Sequence, residues 1–269
     1  MQSMIEISTL EFSYINKTSV FTDISFSLPA GRLCALMGGN GSGKTTLLKC
    51  IAGLLVPSHG TISIAGTRIS KLTKRQRARR MSMVPQEHST VFPYTVENMV
   101  LMGRAPYIDA FAMPGEDDLS VAYQAMQEVG IEHLAHKMYS QISGGERQLV
   151  LIARSLAQNT PIMLLDEPTS HLDYRNQILT MSIVRRLVKE KGFLALIATH
   201  DPNHALFFAD TVIILHQGRI LRNGPSGEVI NRDNISTVYG IEVQEIRDHD
   251  KIRWIMPDVE ILNHRREPQ

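Results

Sequence analysis

Hydrophobic and polar positions alternate through the first thirty residues, in MIEISTLEFSY and again in SVFTDISFSL, until the turn signal Pro29-Ala30-Gly31. A period of two with one apolar face predicts antiparallel strands. Arg32 to Gly38, RLCALMG, is a short apolar run that feeds straight into a glycine-rich stretch. After it, KTTLLKCIAGLL places apolar residues at helical spacing and is expected to stop near Pro57. GTISIAGTRI predicts two more short strands, and RMSMVPQ a strand ending at Pro85-Gln86. From about Glu87 to Gln158 the period turns helical, in TVENMVLMGR, DDLSVAYQAMQEVG and GERQLVLIARSLAQ, so this block reads as a helical insertion between strand-rich halves. PIMLLDEP then reads as a buried strand and YRNQILTMSIVRRLVKEKG as an amphipathic helix ended by Gly192. FLALIATH is the next buried strand, and TVIILHQGRILRNG a hairpin turned at Gln217-Gly218. Strands alternating with helices predict a parallel α/β core for the second half. From about Glu228 onward, STVYGIEVQEIRDHDKIRWIMPD reads as a small appendage of helix and strands, and the end, NHRREPQ, is expected to fray.

Composition narrows the picture without changing it. At 269 residues and 43% hydrophobic content the chain can bury a core in one large domain or two modest ones. Its formal charge of +1, from 28 Lys and Arg against 27 Asp and Glu, calls for no polyanionic partner. The longest apolar runs, IMLL, FLALIA and TVIIL, are strand-sized, so no membrane span is expected; nor is export, since MQSMIEISTLEF has no basic flank leading into an apolar stretch. The two cysteines, Cys34 and Cys50, lack metal-ligand spacing and read as free core thiols in a reducing cytoplasm.

Candidate chemistry begins at Gly38, where GGNGSGKTT carries the spacing of a phosphate-binding loop: glycine, four residues, then Gly43-Lys44-Thr45. Glycines let backbone N–H groups converge on an anion, here those of Gly39, Gly41, Gly43, Lys44 and Thr45, and the helix that follows points its positive end there. Asn40 and Ser42 complete the loop, and Thr46 follows it. Lys44 would reach the β- and γ-phosphates and the Thr45 hydroxyl would ligate Mg²⁺. A glycine-rich turn that merely opens a helix looks the same, so a second half-site matters. IMLLDE supplies it: a buried strand delivers Asp166 for the Mg²⁺ shell, and Glu167 is the candidate base for an attacking water. A third piece, ISGGERQ, opens a helix with Ser143 in an N-cap position followed by Gly144, Gly145 and Glu146. One chain has no evident need for two anion-binding helix ends at one nucleotide. A dimer reconciles them, with this end meeting the γ-phosphate held by the other copy.

With these motifs the sequence resembles the ATP-binding-cassette (ABC) ATPases over roughly residues 1 to 225. The family signature usually reads LSGGQ, and Ile142-Ser143-Gly144-Gly145-Glu146 departs from it twice. The resemblance implies a P-loop NTPase α/β core with a parallel sheet, an N-terminal antiparallel β part and a helical signature part. It divides the chain into a nucleotide-binding domain, 1–226 with the helical part at about 87–158, and a C-terminal extension, 227–269. By position it makes Tyr14 the aromatic that stacks on adenine and Gln86 the Q-loop glutamine that senses Mg²⁺ and the water. Ser170 and Asp173 fall in the D-loop that crosses the dimer interface, and His200 is the switch histidine on the γ-phosphate. ATP and Mg²⁺ are the implied cofactors. The implied partners are a second copy, transmembrane permease subunits and, indirectly, a substrate-binding protein, at the cytoplasmic face of the membrane.

In detail VLMGR, SHLD and VYGIEV look like the importer branch that handles iron–siderophore, haem, cobalamin and related metal complexes. The stretch Thr95 to Phe111 is then the expected docking surface for the permease, although its apolar residues could equally be core. A nucleic-acid-processing ABC ATPase is the alternative. The basic run KLTKRQRARR, Lys71 to Arg80, could bind phosphates, but is read as a solvated helical face, and no nucleic-acid partner is expected.

Overall fold

The computed structural model describes residues 3–14, 19–86, 93–109, 112–249 and 251–258. Strands β1 (Ser3–Ser13) and β2 (Ser19–Pro29) pair antiparallel, as the alternation predicts. The period of two slips once in each strand. Ile7 and Leu10, and likewise Phe21 and Ile24, are three apart yet share the buried face, because Thr9 (φ 46°) and Asp23 (φ 54°) sit at register shifts. Next come β3 (Leu33–Met37), α1 (Lys44–Ile51), β4 (His59–Ile64), β5 (Thr67–Arg68), α2 (Lys74–Ala78) and β6 (Met81–Val84). Strands β2, β1, β4 and β5 form one antiparallel sheet in that order.

Helix α1 ends well before Pro57. A glycine stop explains why: Gly53, at φ 69°, turns the chain left-handed, its N–H donating to Cys50 O at 3.0 Å and that of Leu54 to Lys49 O at 2.9 Å, and its carbonyl accepts from Arg77 of α2 at 2.6 Å. The basic run containing it is also more than a solvated face. Arg75 donates to Pro106 O at 2.8 Å and Asp109 Oδ1 at 3.1 Å, while Arg79 donates to Pro106 O at 3.0 Å and lies over the Tyr107 ring.

The helical insertion contains α3 (Val96–Leu101), α4 (Glu116–Val129) and α5 (Gly144–Ala157). Beyond Leu101 the helix tightens to a 3₁₀ turn at Met102–Arg104, where Gly103 lies against α5 so closely that a Cβ would stand 2.2 Å from Arg154 O. Residues 87–92 at the start of the predicted insertion, Phe111 and the end expected to fray fall outside the described residues.

The second half alternates as predicted: β7 (Ile162–Asp166), α6 (Tyr174–Lys191), β8 (Leu194–Thr199), α7 (Pro202–Phe208), β9 (Thr211–His216) and β10 (Arg219–Pro225). The second sheet runs β10-β9-β3-β8-β7-β6, parallel except for the β9–β10 hairpin, which turns at Gln217 (φ 47°) and Gly218 (φ 73°). Its central strands are buried on both faces and so carry no alternation of polarity. Period two survives instead as a division between two cores. Leu33, Ala35 and Met37 face the helical insertion and α6; Cys34 and Leu36 face α1 and the antiparallel sheet. Both cysteines are free, and burial pushes their thiols up to about 11 for Cys34 and about 12 for Cys50, which leaves neither a thiolate at neutral pH.

The chain then forms α8 (Ser226–Val229), α9 (Arg232–Tyr239), β11 (Val243–Asp248) and β12 (Lys251–Pro257). These elements are not a loose appendage. Ile230, Ile235, Val243 and Ile255 are buried in the same core as the helical insertion.

Candidate nucleotide-binding site

The loop between β3 and α1 is built as a cradle. Gly41 (φ 76°) and the N-cap Gly43 (φ 99°) take left-handed backbone that other residues adopt at a cost. Gly38 serves packing: a Cβ there would stand 2.3 Å from Leu215 O of β9. Lys44, 5% exposed, donates through Nζ to Gly38 O at 2.9 Å and Gly39 O at 3.2 Å, and pairs with Glu167 Oε1 at 3.4 Å. The Thr45 hydroxyl donates to Asp166 Oδ1 at 2.9 Å, which joins the loop to the end of β7. Burial raises the Asp166 carboxyl above its ordinary range, against the Thr45 hydrogen bond.

Glu167 gathers the rest. Its Oε2 lies 3.2 Å from His200 Nδ1 and accepts from Gln86 Nε2 at 3.4 Å. Its backbone is held at φ 47°, with N–H donating to Ala198 O at 3.1 Å and the carbonyl accepting from Ser170 Oγ at 2.8 Å. Strained backbone that the surroundings fix in place is common where a side chain must be aimed. Tyr14, half exposed, reaches Thr46 Oγ1 at 3.3 Å and stands edge-on to Phe12.

A cavity of about 770 Å³ is lined by Tyr14, Asn40 to Thr46, Gln86, Glu167, Ser170 and His200 together. Gly38 and Gly39 hold Lys44 beneath it, and Asp166 stands behind Thr45. The signature residues are elsewhere: Ser143, Gly144, Gly145 and Glu146 do not line this cavity. They form the N-terminus of α5, where Ser143 Oγ accepts from Glu146 N at 3.3 Å and Glu146 Oε2 accepts from Ser143 N at 2.7 Å. Hydrogen bonding from the Ser143 hydroxyl and from its backbone N–H holds the Glu146 carboxyl below its usual range and explains why an acid is accommodated there. Asp173 also lies off the cavity. It caps α6, accepting from Asn176 N at 2.8 Å and Asn176 Nδ2 at 2.9 Å, and the Asn176 side chain abuts Gly145. The D-loop stretch and the signature helix are thus contiguous in one chain.

Sequence reasoning missed Thr169, His171, Gln177, Asp201 and His204, which also line the cavity. The first two sit in the loop after Glu167, where continuation of the motif could have flagged them. His204, buried on α7, carried no signal.

A model of the family described as ABC transporter matches residues 21–170, more than half of the chain. The chain belongs to the ABC transporter family. The ferric enterobactin transport ATP-binding protein of Escherichia coli is 36% identical over 232 residues, 86% of each chain. Among solved structures, a metal-chelate type ABC transporter in an inward-facing conformation superposes with a TM-score of 0.84 at 30% identity, covering 97% of this chain and 99% of that one. A dimeric ATP-binding cassette in a post-hydrolysis state, bound to ADP and Pi, superposes at 0.72 with 28% identity, covering 83% of this chain and 99% of the other. The fold of this ABC subunit is that of the family, and its nucleotide is ATP.

The site suits the cofactors that the motifs imply. Ser42 Oγ is buried in the loop with no hydrogen-bond partner, an available donor for a phosphate oxygen. The Thr45 hydroxyl, the Asp166 carboxylate and the Gln86 amide form an all-oxygen donor set of the kind a hard divalent cation such as Mg²⁺ takes. No described helix is long and apolar enough to cross a membrane.

Proposed function

We propose that this chain is the ATP-hydrolysing subunit of an importer, paired with a second copy over two ATP and working beneath a separate membrane permease at the cytoplasmic face. The cargo class is an iron chelate, haem, cobalamin or a related metal complex, delivered by a substrate-binding protein. The observation that carries the ATPase is the convergence of Lys44, Gln86 and His200 on Glu167, beside the Thr45–Asp166 pair. The cargo class is supported by the ferric enterobactin relative and the metal-chelate transporter structure.

Lys44 and the loop amides bind the β- and γ-phosphates, and Tyr14 stacks on the adenine. Thr45, Asp166 and Gln86 would hold Mg²⁺, which would neutralise charge on the phosphates. Glu167 accepts the proton of the attacking water, and His200 hydrogen-bonds the γ-phosphate. In the dimer the partner's signature helix completes the site, so ATP binds the closed state better than the open one and its hydrolysis releases closure. No observation favours the nucleic-acid alternative: Arg75, Arg77 and Arg79 of the basic run hydrogen-bond within the chain.

Glu167→Gln is the test. It keeps the shape and the capacity to accept from Gln86, but removes the base. The variant is expected to bind MgATP within about threefold of the parent while turnover falls by about 10²-fold or more, the range of a lost general base. Parent-level hydrolysis by the variant refutes the assignment.

A further inference from the structure

The end of α9 touches the nucleotide site at two places one residue apart. The phenol of Tyr239, its last residue, donates to the carbonyl O of His200 at 2.6 Å. The carbonyl O of Val238 lies 3.7 Å from where a Cβ on Gly39 would stand. One helix end therefore abuts both the loop after β8 and the loop before α1. The hairpin that follows grips the same segment further along. Asn203 Nδ2 donates to Ile255 O at 3.0 Å, and Asn203 Oδ1 accepts from Ile255 N at 2.9 Å. Phe207, one turn on in α7, packs its ring 5.4 Å from that of Trp254. His200 itself has a side chain 55% exposed, so little packing holds its ring, and its direction depends on how its backbone is pinned.

We propose that Tyr239 is a positioning residue for hydrolysis: by anchoring the His200 carbonyl it sets the imidazole beside Glu167, which makes the C-terminal extension a working part of the ATPase site. This rests on the reading of His200 as the γ-phosphate ligand. Burial, then the nearby Asp201 and Glu167 carboxylates, push the Tyr239 phenol above its ordinary range, so it remains a donor throughout the working pH range. An error of about 1 Å in a reacting group can cost on the order of 10²-fold in rate. A lost anchor two bonds from the His200 Cα is therefore expected to register in turnover before it registers in binding.

Three single variants of the full chain decide it: Tyr239→Phe, which deletes one oxygen and keeps the ring; Ile235→Val, which thins the core under the same helix; and His200→Ala. Tyr239→Phe is expected to lower kcat roughly tenfold, a fraction of that limit, with the MgATP dissociation constant within about twofold. Ile235→Val is expected to lower the melting temperature at least as much and leave kcat unchanged. An unchanged kcat in Tyr239→Phe, an equal fall in Ile235→Val, or a loss of binding that accounts for the lost rate overturns the proposal. Parent-level turnover in His200→Ala refutes the reading of the histidine itself. A dead His200→Ala beside a fully active Tyr239→Phe refutes the positioning role alone.

Discussion

Gly38 and Gly144 both belong to glycine-rich motifs that lead into a helix, yet the space around them gives opposite tolerances. A Cβ on Gly38 would stand 2.3 Å from the backbone carbonyl of Leu215, which cannot swing aside without breaking β9 from β3. Gly38→Ala is expected to cost about 2 kcal/mol, the middle of the overpacking range, and to lower the melting temperature by about 4–8 °C in a chain of this size. A Cβ on Gly144 meets nothing within 4 Å, and alanine is the better helix former. Gly144→Ala should melt at or above the parent temperature, and a calorimetric scan of the two variants checks both. The motif marks both positions as glycine; at Gly38 the cause is partly local, since a Cβ would stand 2.6 Å from Ser42 Oγ, and partly β9, far along the chain, which no local pattern carries.

At the scale of elements, Asp210 ties three of them together. It accepts from the Leu33 N–H at the start of β3 at 2.9 Å and from Arg185 of α6 at 2.6 Å, while Arg32 lies 3.7 Å away, and its own N–H donates to Leu33 O as the chain enters β9. Burial pushes its carboxyl up, but the Arg185 and Leu33 hydrogen bonds and the two guanidinium charges outweigh burial and hold it below the ordinary value. A depressed folded-state value stabilises above the unfolded one and is lost as pH falls through the folded one. Asp210→Asn should therefore cost about 2 kcal/mol at pH 7, the range of hydrogen bonds to a charged group, because the pair with Arg185 is only partly buried. The gap from the parent should begin to narrow below about pH 4, where the unfolded carboxyl protonates, and close only as pH falls through the lower folded-state value; urea midpoints followed down through that range measure it. Elements whose cause is local were legible: strand alternation, Gly192 closing α6, the Gln217-Gly218 hairpin. What depends on a distant partner was not: the α2 arginines turned toward residues 106–109, and a C-terminal extension buried in the main core. The candidate site divides the same way. Its loops announce themselves by composition, whereas Asp201, His204 and Tyr239 reach it through the packing of α7 and α9.

For the whole molecule, the decisive relation lies between two surfaces of one chain that do not meet. The cavity gathers the nucleotide-facing groups proposed above, with Gly38, Gly39 and Asp166 directly behind its lining, but not the signature, which stands at the exposed start of α5 with its N-terminal dipole unused by that cavity. If a second copy completes the site, filling the space at Gly144 should abolish pairing without touching the monomer. Gly144→Gln suits this better than a change at Ser143, whose hydroxyl caps α5 and would take about 1 kcal/mol of helix stability with it. In a Glu167→Gln background, where hydrolysis no longer dissolves the sandwich, MgATP is expected to shift the chain from monomer to dimer in sedimentation. Adding Gly144→Gln should leave a monomer that still binds MgATP within about threefold and melts at an unchanged temperature, since the nucleotide contacts within the chain and the core are both intact. A dimer that persists, or a monomer that has lost its nucleotide, would mean that α5 does not meet ATP across the pair.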